Sequence, residues 1–251
     1  MSEVVDERNG LAVIEVENLT AAQRRAMLEL LQICFANVSE SQFNRDLDEK
    51  EWVILGTDPR SDGVWSFSTL RRLQITIDGE RIMALFSGDT ASRPDTRGAV
   101  TAAGIRAVIR KMFHEVARNA SSVDRIYWFM ISSTYKSYRL LPMLFRDYAP
   151  DLRRKLSEEE TRIVVELCNV KGLSFDPATG IVRLDNPSMP RGFSSETDVA
   201  DEHDPHARFF RSANPGADRG ERLASLIRLS ETNLTPLGAR MIALEQEQLA
   251  G

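Results

Sequence analysis

Residues 64–86 read VWSFSTLRRLQITIDGERIMALF. Trp65, Phe67 and Thr69 fall on one side with serines between them. That period-two pattern argues a strand with one face turned inward. Asp78-Gly79 interrupts it, and this dipeptide between apolar runs is a strong signal for a two-residue hairpin turn. Residues 81–86 return as the partner strand. The stretch therefore predicts two antiparallel strands.

Towards the N-terminus, residues 52–55 form a short apolar strand, separated from Val64 by a turn cluster of Asp58, Pro59, Asp62 and Gly63. Two helices precede it. Thr20 with Gln23 makes a capping box, and Met27, Leu30, Leu31, Cys34 and Phe35 follow at helical spacing. Ser39 with Gln42 repeats the pattern and opens a second helix to about Lys50. Residues 11–16 read as a short strand, and residues 1–10, polar and acidic, as a disordered terminus. That start lacks the basic-then-apolar order of a signal peptide. No apolar run reaches the roughly 18 residues needed to span a membrane.

Towards the C-terminus, Ser87-Gly88-Asp89-Thr90 reads as a polar turn, and the polar character continues to Thr96. Arg97-Gly98 then opens a long helix with an apolar stripe at Ile105, Ile109, Met112 and Val116. Residues 123–131, apolar and aromatic without a break from Ile126, read as a strand covered on both faces. Ser132-Ser133-Thr134 offers an N-cap for a helix over 135–148, closed by Pro150. Ser157 and three glutamates start another helix, the acidic turn suiting its dipole. Residues 172–187 are turn-rich with a short strand at 181–184, and residues 187–220 read as a long surface excursion. A strand at 222–229 and a helix at 235–249 end the chain.

The 251 residues are 42% hydrophobic and 27% charged, enough for one large core or two modest ones. A formal net charge of -5 argues against nucleic-acid binding, which needs clustered Lys and Arg. Cys34 and Cys168 each lie in an apolar helical pattern and read as buried free thiols. Without a CxxC or a Cys/His cluster no zinc site is expected, and a reducing cytoplasm fits. His114 reads as a half-buried structural residue of the long helix. His203 and His206, among Asp201, Glu202 and Asp204, read as a solvated surface rather than a metal site, with Phe209 and Phe210 anchoring it to the core.

The passage from a strand through a polar turn into Arg-Gly at a helix start is a physical device. N–H groups at a helix N-terminus are unpaired and positively polarised, so they bind phosphate without a basic side chain. Gly98, with the small Ala99 and Ala102, permits close approach of a pyrophosphate. A carboxylate at Asp89 could take a proton from an ammonium nucleophile. The plainer alternative for 87–90 is a strand-ending turn with an Asx-type hydrogen bond.

Two helices, three antiparallel strands, a phosphate-type turn into a central helix, an apolar strand and a further helix together resemble the GNAT acyltransferase superfamily. The resemblance covers residues 11–150. It implies an α/β fold of the α+β type: a mixed, mostly antiparallel central sheet flanked by helices, with residues 151–251 as a C-terminal extension completing or covering that core. In this family an Arg/Gln-x-x-Gly-x-Gly/Ala loop binds the pyrophosphate of an acyl-CoA. Arg97 matches its first position and Ala102 its last, while Val100 stands where the middle glycine is expected. Thr90, Gly98, Ala99 and Thr101 complete the implied donor segment. Ser87 and Asp89 fall on the implied acceptor side. Tyr138, and after it Tyr135, match the tyrosine that protonates the departing thiolate.

The implied protein is an N-acyltransferase that moves an acyl group from a thioester donor to an amine of a small molecule. It holds no tightly bound cofactor and no metal; acyl-CoA is a cosubstrate. Because Val100 replaces a glycine, an acyl carrier protein is an alternative donor, since its acyl-phosphopantetheine presents no adenosine pyrophosphate. A looser likeness to long-chain N-acyl amino acid synthases points the same way. The alternatives are a ligand- or partner-binding protein without transferase activity, and a thioester hydrolase or decarboxylase on the same fold.

Overall fold

Asp78 and Gly79 turn the chain with φ of 51° and 85°, the left-handed pair that a type I′ hairpin requires. They join strands Val64–Ile77 and Glu80–Ser92. The computed structural model describes residues 3–6, 10–58, 63–96, 99–191 and 203–243. The chain gathers into two units, Met1–Arg72 with Phe86–Glu115, and Leu73–Leu85 with Val116–Gly251, and the hairpin strands contribute to both.

In the first unit, β1 (Glu3–Asp6) pairs antiparallel with β2 (Leu11–Glu15), so part of the stretch read as a disordered terminus forms a strand. Helix α1 (Ala21–Cys34) starts on the Thr20–Gln23 capping box, and α2 (Glu40–Asp48) on Ser39, whose hydroxyl accepts from the Gln42 N–H. β3 (Trp52–Thr57) is flanked by β2 and β4 (Val64–Ile77), antiparallel to both. Met27, Leu30 and Leu31 of α1 and Phe43 and Leu47 of α2 bury against Val53, Leu55 and Phe67. β5 (Glu80–Ser92) runs six residues past the expected end at Phe86, so the segment read as a turn is strand. Side-chain hydrogen bonds account for the extension: the Ser68 and Thr90 hydroxyls lie 2.8 Å apart, and Thr69 Oγ1 donates to the Asp89 carbonyl at 3.4 Å. Helix α3 (Ala99–Asn119) follows, with Ile109 and Met112 buried as its stripe requires. His114 on this helix is exposed, not half-buried, because it faces away from that stripe.

In the second unit, β6 (Arg125–Ser132) neighbours β5. The Asp124 N–H donates to the Arg81 carbonyl at 2.8 Å, and Arg125 pairs with Glu80. The two strands thus begin side by side and run parallel, as a helical crossover demands. The helix expected over 135–148 is shorter and broken into α4 (Tyr135–Tyr138) and α5 (Leu140–Leu144). It ends early because Thr235 takes its last carbonyls: the Thr235 N–H donates to Leu144 and its hydroxyl to Met143. Helix α6 (Glu158–Lys171) has the Ser157–Glu160 capping box and a left-handed Gly172 at its end. β7 (Ser174–Asp176) and β8 (Ile181–Arg183) form a short hairpin.

The supposed surface excursion contains α7 (Pro205–Ala213), which buries Ala207 and Phe210. β9 (Arg222–Arg228) pairs antiparallel with β6, from Leu223 opposite Ser132 to Arg228 opposite Tyr127. The last described helix is α8 (Pro236–Ala243). Its Gly238 has to be small, because a Cβ there would lie 2.4 Å from the Leu144 carbonyl oxygen. No helix among the described residues is long and apolar enough to cross a membrane.

Candidate functional site

Ser87, Asp89 and Thr90 lie on the last turnless stretch of β5, the first two half-buried and Thr90 exposed. Between them, Gly88 makes room for Lys50. A Cβ at residue 88 would meet Lys50 Cε at 2.4 Å and Thr69 Oγ1 at 2.7 Å. The Lys50 side chain is 0% exposed, and its ammonium pairs with the Asp46 carboxylate at 2.5 Å and the Asp46 carbonyl at 2.8 Å. A cation is thus held beside the strand that carries Asp89. Arg97 and Gly98 lie outside the described residues. Ala99 and Val100 open α3, Thr101 donates its hydroxyl to the Thr96 carbonyl at 3.5 Å, and Ala102 is half-buried.

In the second unit, α4 carries both candidate tyrosines. Tyr138 is 0% exposed, and its hydroxyl donates to the Pro150 carbonyl at 2.9 Å. Burial first, then neighbouring Tyr148, pushes its phenol far above the usual range. Tyr135 is half-buried, and its hydroxyl donates to the Asp204 carboxylate. Rings surround the pair: Tyr138 lies 5.4 Å from Phe210 and 5.8 Å from Phe209, and Tyr135 lies 6.4 Å from Phe210. The phenylalanines after His206 do anchor this segment.

Sequence reasoning passed over Asp204, Tyr148 and His206 as working groups. Asp204 caps α7, accepting from the His206 N–H at 2.8 Å, with proline at the start of the helix. That Asp-Pro start is a legible helix signal. Burial opposes its charge, but hydrogen bonds from the Tyr135 hydroxyl and the His206 backbone hold its carboxyl below the usual range. The Tyr148 hydroxyl sits 3.3 Å from His206 Nδ1, and burial, then Asp151, pushes its phenol up to about 12. Asp201 and Glu202 lie outside the described residues. Cys168 is buried and its thiol pushed up to about 12 by that burial, whereas Cys34 is half-buried, its thiol 3.3 Å from the Ser92 carbonyl. An open groove of about 760 Å³, lined by Val123, Ile126, Asp147, Arg228 and Asn233 among others, holds none of the expected site residues.

No family model matches the sequence, and no curated protein matches it. Among solved structures the chain is similar to a probable N-acyltransferase from Enterococcus faecalis, at 19% identity and a TM-score of 0.40 over 56% of this chain and 32% of that one. The chain thus matches about a third of that protein's length. It is also similar to the GNAT family N-acetyltransferase YhbS from Escherichia coli in complex with CoA, at 14% identity and a TM-score of 0.37 over 54% of this chain and 69% of that one. A GCN5-related N-acetyltransferase from Kribbella flavida is similar over 92% of this chain and 73% of its own, at 11% identity and a TM-score of 0.40. At such identities and scores the activity has to be argued from the residues.

Proposed function

We propose that the protein is an N-acyltransferase that moves an acyl group from a thioester donor to an amine of a small molecule in the cytoplasm. The observation that carries this reading is the crossover: β5 leads into α3, α3 returns the chain as β6 parallel to β5, and the tyrosines of α4 follow directly. This is the order the family resemblance requires.

The roles divide by chemistry. Thr90 and the segment Arg97, Gly98, Ala99, Val100, Thr101 and Ala102 take the donor's phosphates, using the polarised N–H groups that open α3. Ser87 and Asp89 serve the acceptor. The proton falls to the tyrosines, and here the surroundings separate them. The Tyr138 hydroxyl is sealed in the core and committed to Pro150, which suits a scaffold role. Tyr135, half-buried beside an ionised carboxylate, suits proton handling. Val100 in place of a glycine supports the second donor, an acyl-phosphopantetheine on a carrier protein. Positioning and proton management are the protein's contribution to the rate.

Thermal unfolding with CoA, acetyl-CoA and a long-chain acyl-CoA tests the donor. A ligand that binds only the native state stabilises it by about 2.7 kcal/mol at a hundred times its Kd. At least one of the three is expected to raise the melting temperature in a saturable way. No shift with any of them would contradict a CoA donor and leave only the carrier protein.

A further inference from the structure

We infer that the outer face of α3, Arg106 with Arg110 and His114, is a docking surface for an acidic protein: the acyl carrier protein that presents the donor thioester on its phosphopantetheine arm. The inference rests on the acyltransferase reading for the identity of that partner, and on α3 alone for the surface.

Between Ala99 and Glu115 the helix carries four basic residues, Arg106, Arg110, Lys111 and His114, and a single acid, Glu115. Glu115 is 1% exposed and pairs with Lys111 at 2.8 Å, so these two charges cancel inside the fold. The other three recur at every fourth position and share one stripe of the helix. It runs beside the stripe of Ala103, Ala107, Lys111 and Glu115, all of them buried. By contrast His114 is exposed, and Arg106 and Arg110 are half-buried. Among the described residues Arg106 forms no ion pair, and its Nε is covered without a hydrogen-bond partner.

Like charges four residues apart weaken a helix. Such a row, on a chain of formal net charge -5, is a local departure that the fold does not require. It also defines what can settle there. An acidic protein is repelled by most of this chain and attracted by this face, which fixes the orientation in which it docks. Three cations along about 12 Å of helix neutralise too few phosphates for a nucleic-acid site.

The row starts close to the place proposed for the donor's phosphates. At a rise of about 1.5 Å per residue, Arg106 stands about 10 Å along α3 from Ala99, and Arg110 about 16 Å. The phosphate of a phosphopantetheine arm is the link to its carrier protein. A carrier whose arm starts at the head of α3 therefore lies over the turns that follow. Val100, where a glycine is expected, supports the same donor.

Fluorescence anisotropy of a labelled acyl carrier protein, titrated with the full chain, tests the face apart from any reaction. The wild type is expected to bind saturably, and less tightly as salt is raised. Arg106→Glu is expected to weaken binding about tenfold with an unchanged melting temperature, and His114→Glu by a smaller factor. Arg25→Glu, a reversal at an exposed position on α1, is the control and is expected to bind like the wild type. No binding of the carrier, wild-type affinity in Arg106→Glu, or equal weakening in Arg25→Glu would overturn the inference. So would binding of phosphatidylglycerol vesicles through Arg106 in place of the carrier. If the carrier docks as expected but no thioester donor ever loses its acyl group, the surface stands and the acyltransferase reading falls. If an acyl-CoA is consumed while the carrier does not bind, that reading stands and the surface falls.

Discussion

Replacing Glu115 by Ala is expected to cost about 3–5 kcal/mol of stability, the usual penalty for leaving a buried charge without its partner. Glu115 is 1% exposed on α3 and pairs with Lys111, itself nearly buried, at 2.8 Å. Arg72 approaches the same carboxylate at 3.6 Å while pairing with Glu51 at 2.5 Å. Both cations lie over the Trp52 ring, Lys111 Nζ at 4.0 Å and Arg72 at 4.9 Å from its centroid. Removing Glu115 therefore strands an ammonium against a ring in the first unit's interior. Urea unfolding reads the effect as a lowered midpoint at unchanged slope. The double variant Lys111→Met with Glu115→Leu is expected to recover much of the loss, because the pair's net contribution is small once its desolvation is counted. A Glu115→Ala protein within about 1 kcal/mol of the wild type would show that water reaches the pair.

Tyr138→Ala is expected to cost a similar amount, about 3–5 kcal/mol, as for other fully buried aromatics cut to a methyl. The ring packs against Tyr148, Phe209 and Phe210, and truncation also leaves the buried Pro150 carbonyl without its donor. Tyr138→Phe keeps the packing and removes only the hydrogen bond, so about 1 kcal/mol is expected. The same variant separates scaffold from chemistry. If Tyr138 is scaffold, Tyr138→Phe transfers acyl groups at close to the wild-type rate while Tyr135→Phe is slowed. A large loss of rate in Tyr138→Phe, with its melting temperature little changed, would return the proton step to Tyr138.

Much of the fold is legible because its signals are local. The hairpin follows from Asp78-Gly79, and the strand Val64–Ile77 has the bounds its alternation predicts. The capping boxes at Thr20 and Ser157 mark helix starts correctly. The misreadings come from partners distant in sequence. The end of α5 is set by Thr235, about ninety residues on, and the extension of β5 by hydroxyls on β4. No periodicity within either segment carries that information. The tyrosines of α4 are legible as candidates, but their difference is not: what separates them is a carbonyl at Pro150 and a carboxylate at Asp204. Asp204 had its own signal, an Asp-Pro helix start, which the surrounding charged residues masked.

The most direct test is mass spectrometry of the products after the protein is incubated with an acyl-CoA, or an acyl carrier protein, and a mixture of small amines. Acyl transfer from a thioester predicts an N-acylated amine whose formation needs both donor and amine, with free thiol released in equal amount. Thiol released at the same rate without any amine, or no product with any thioester donor, would contradict it.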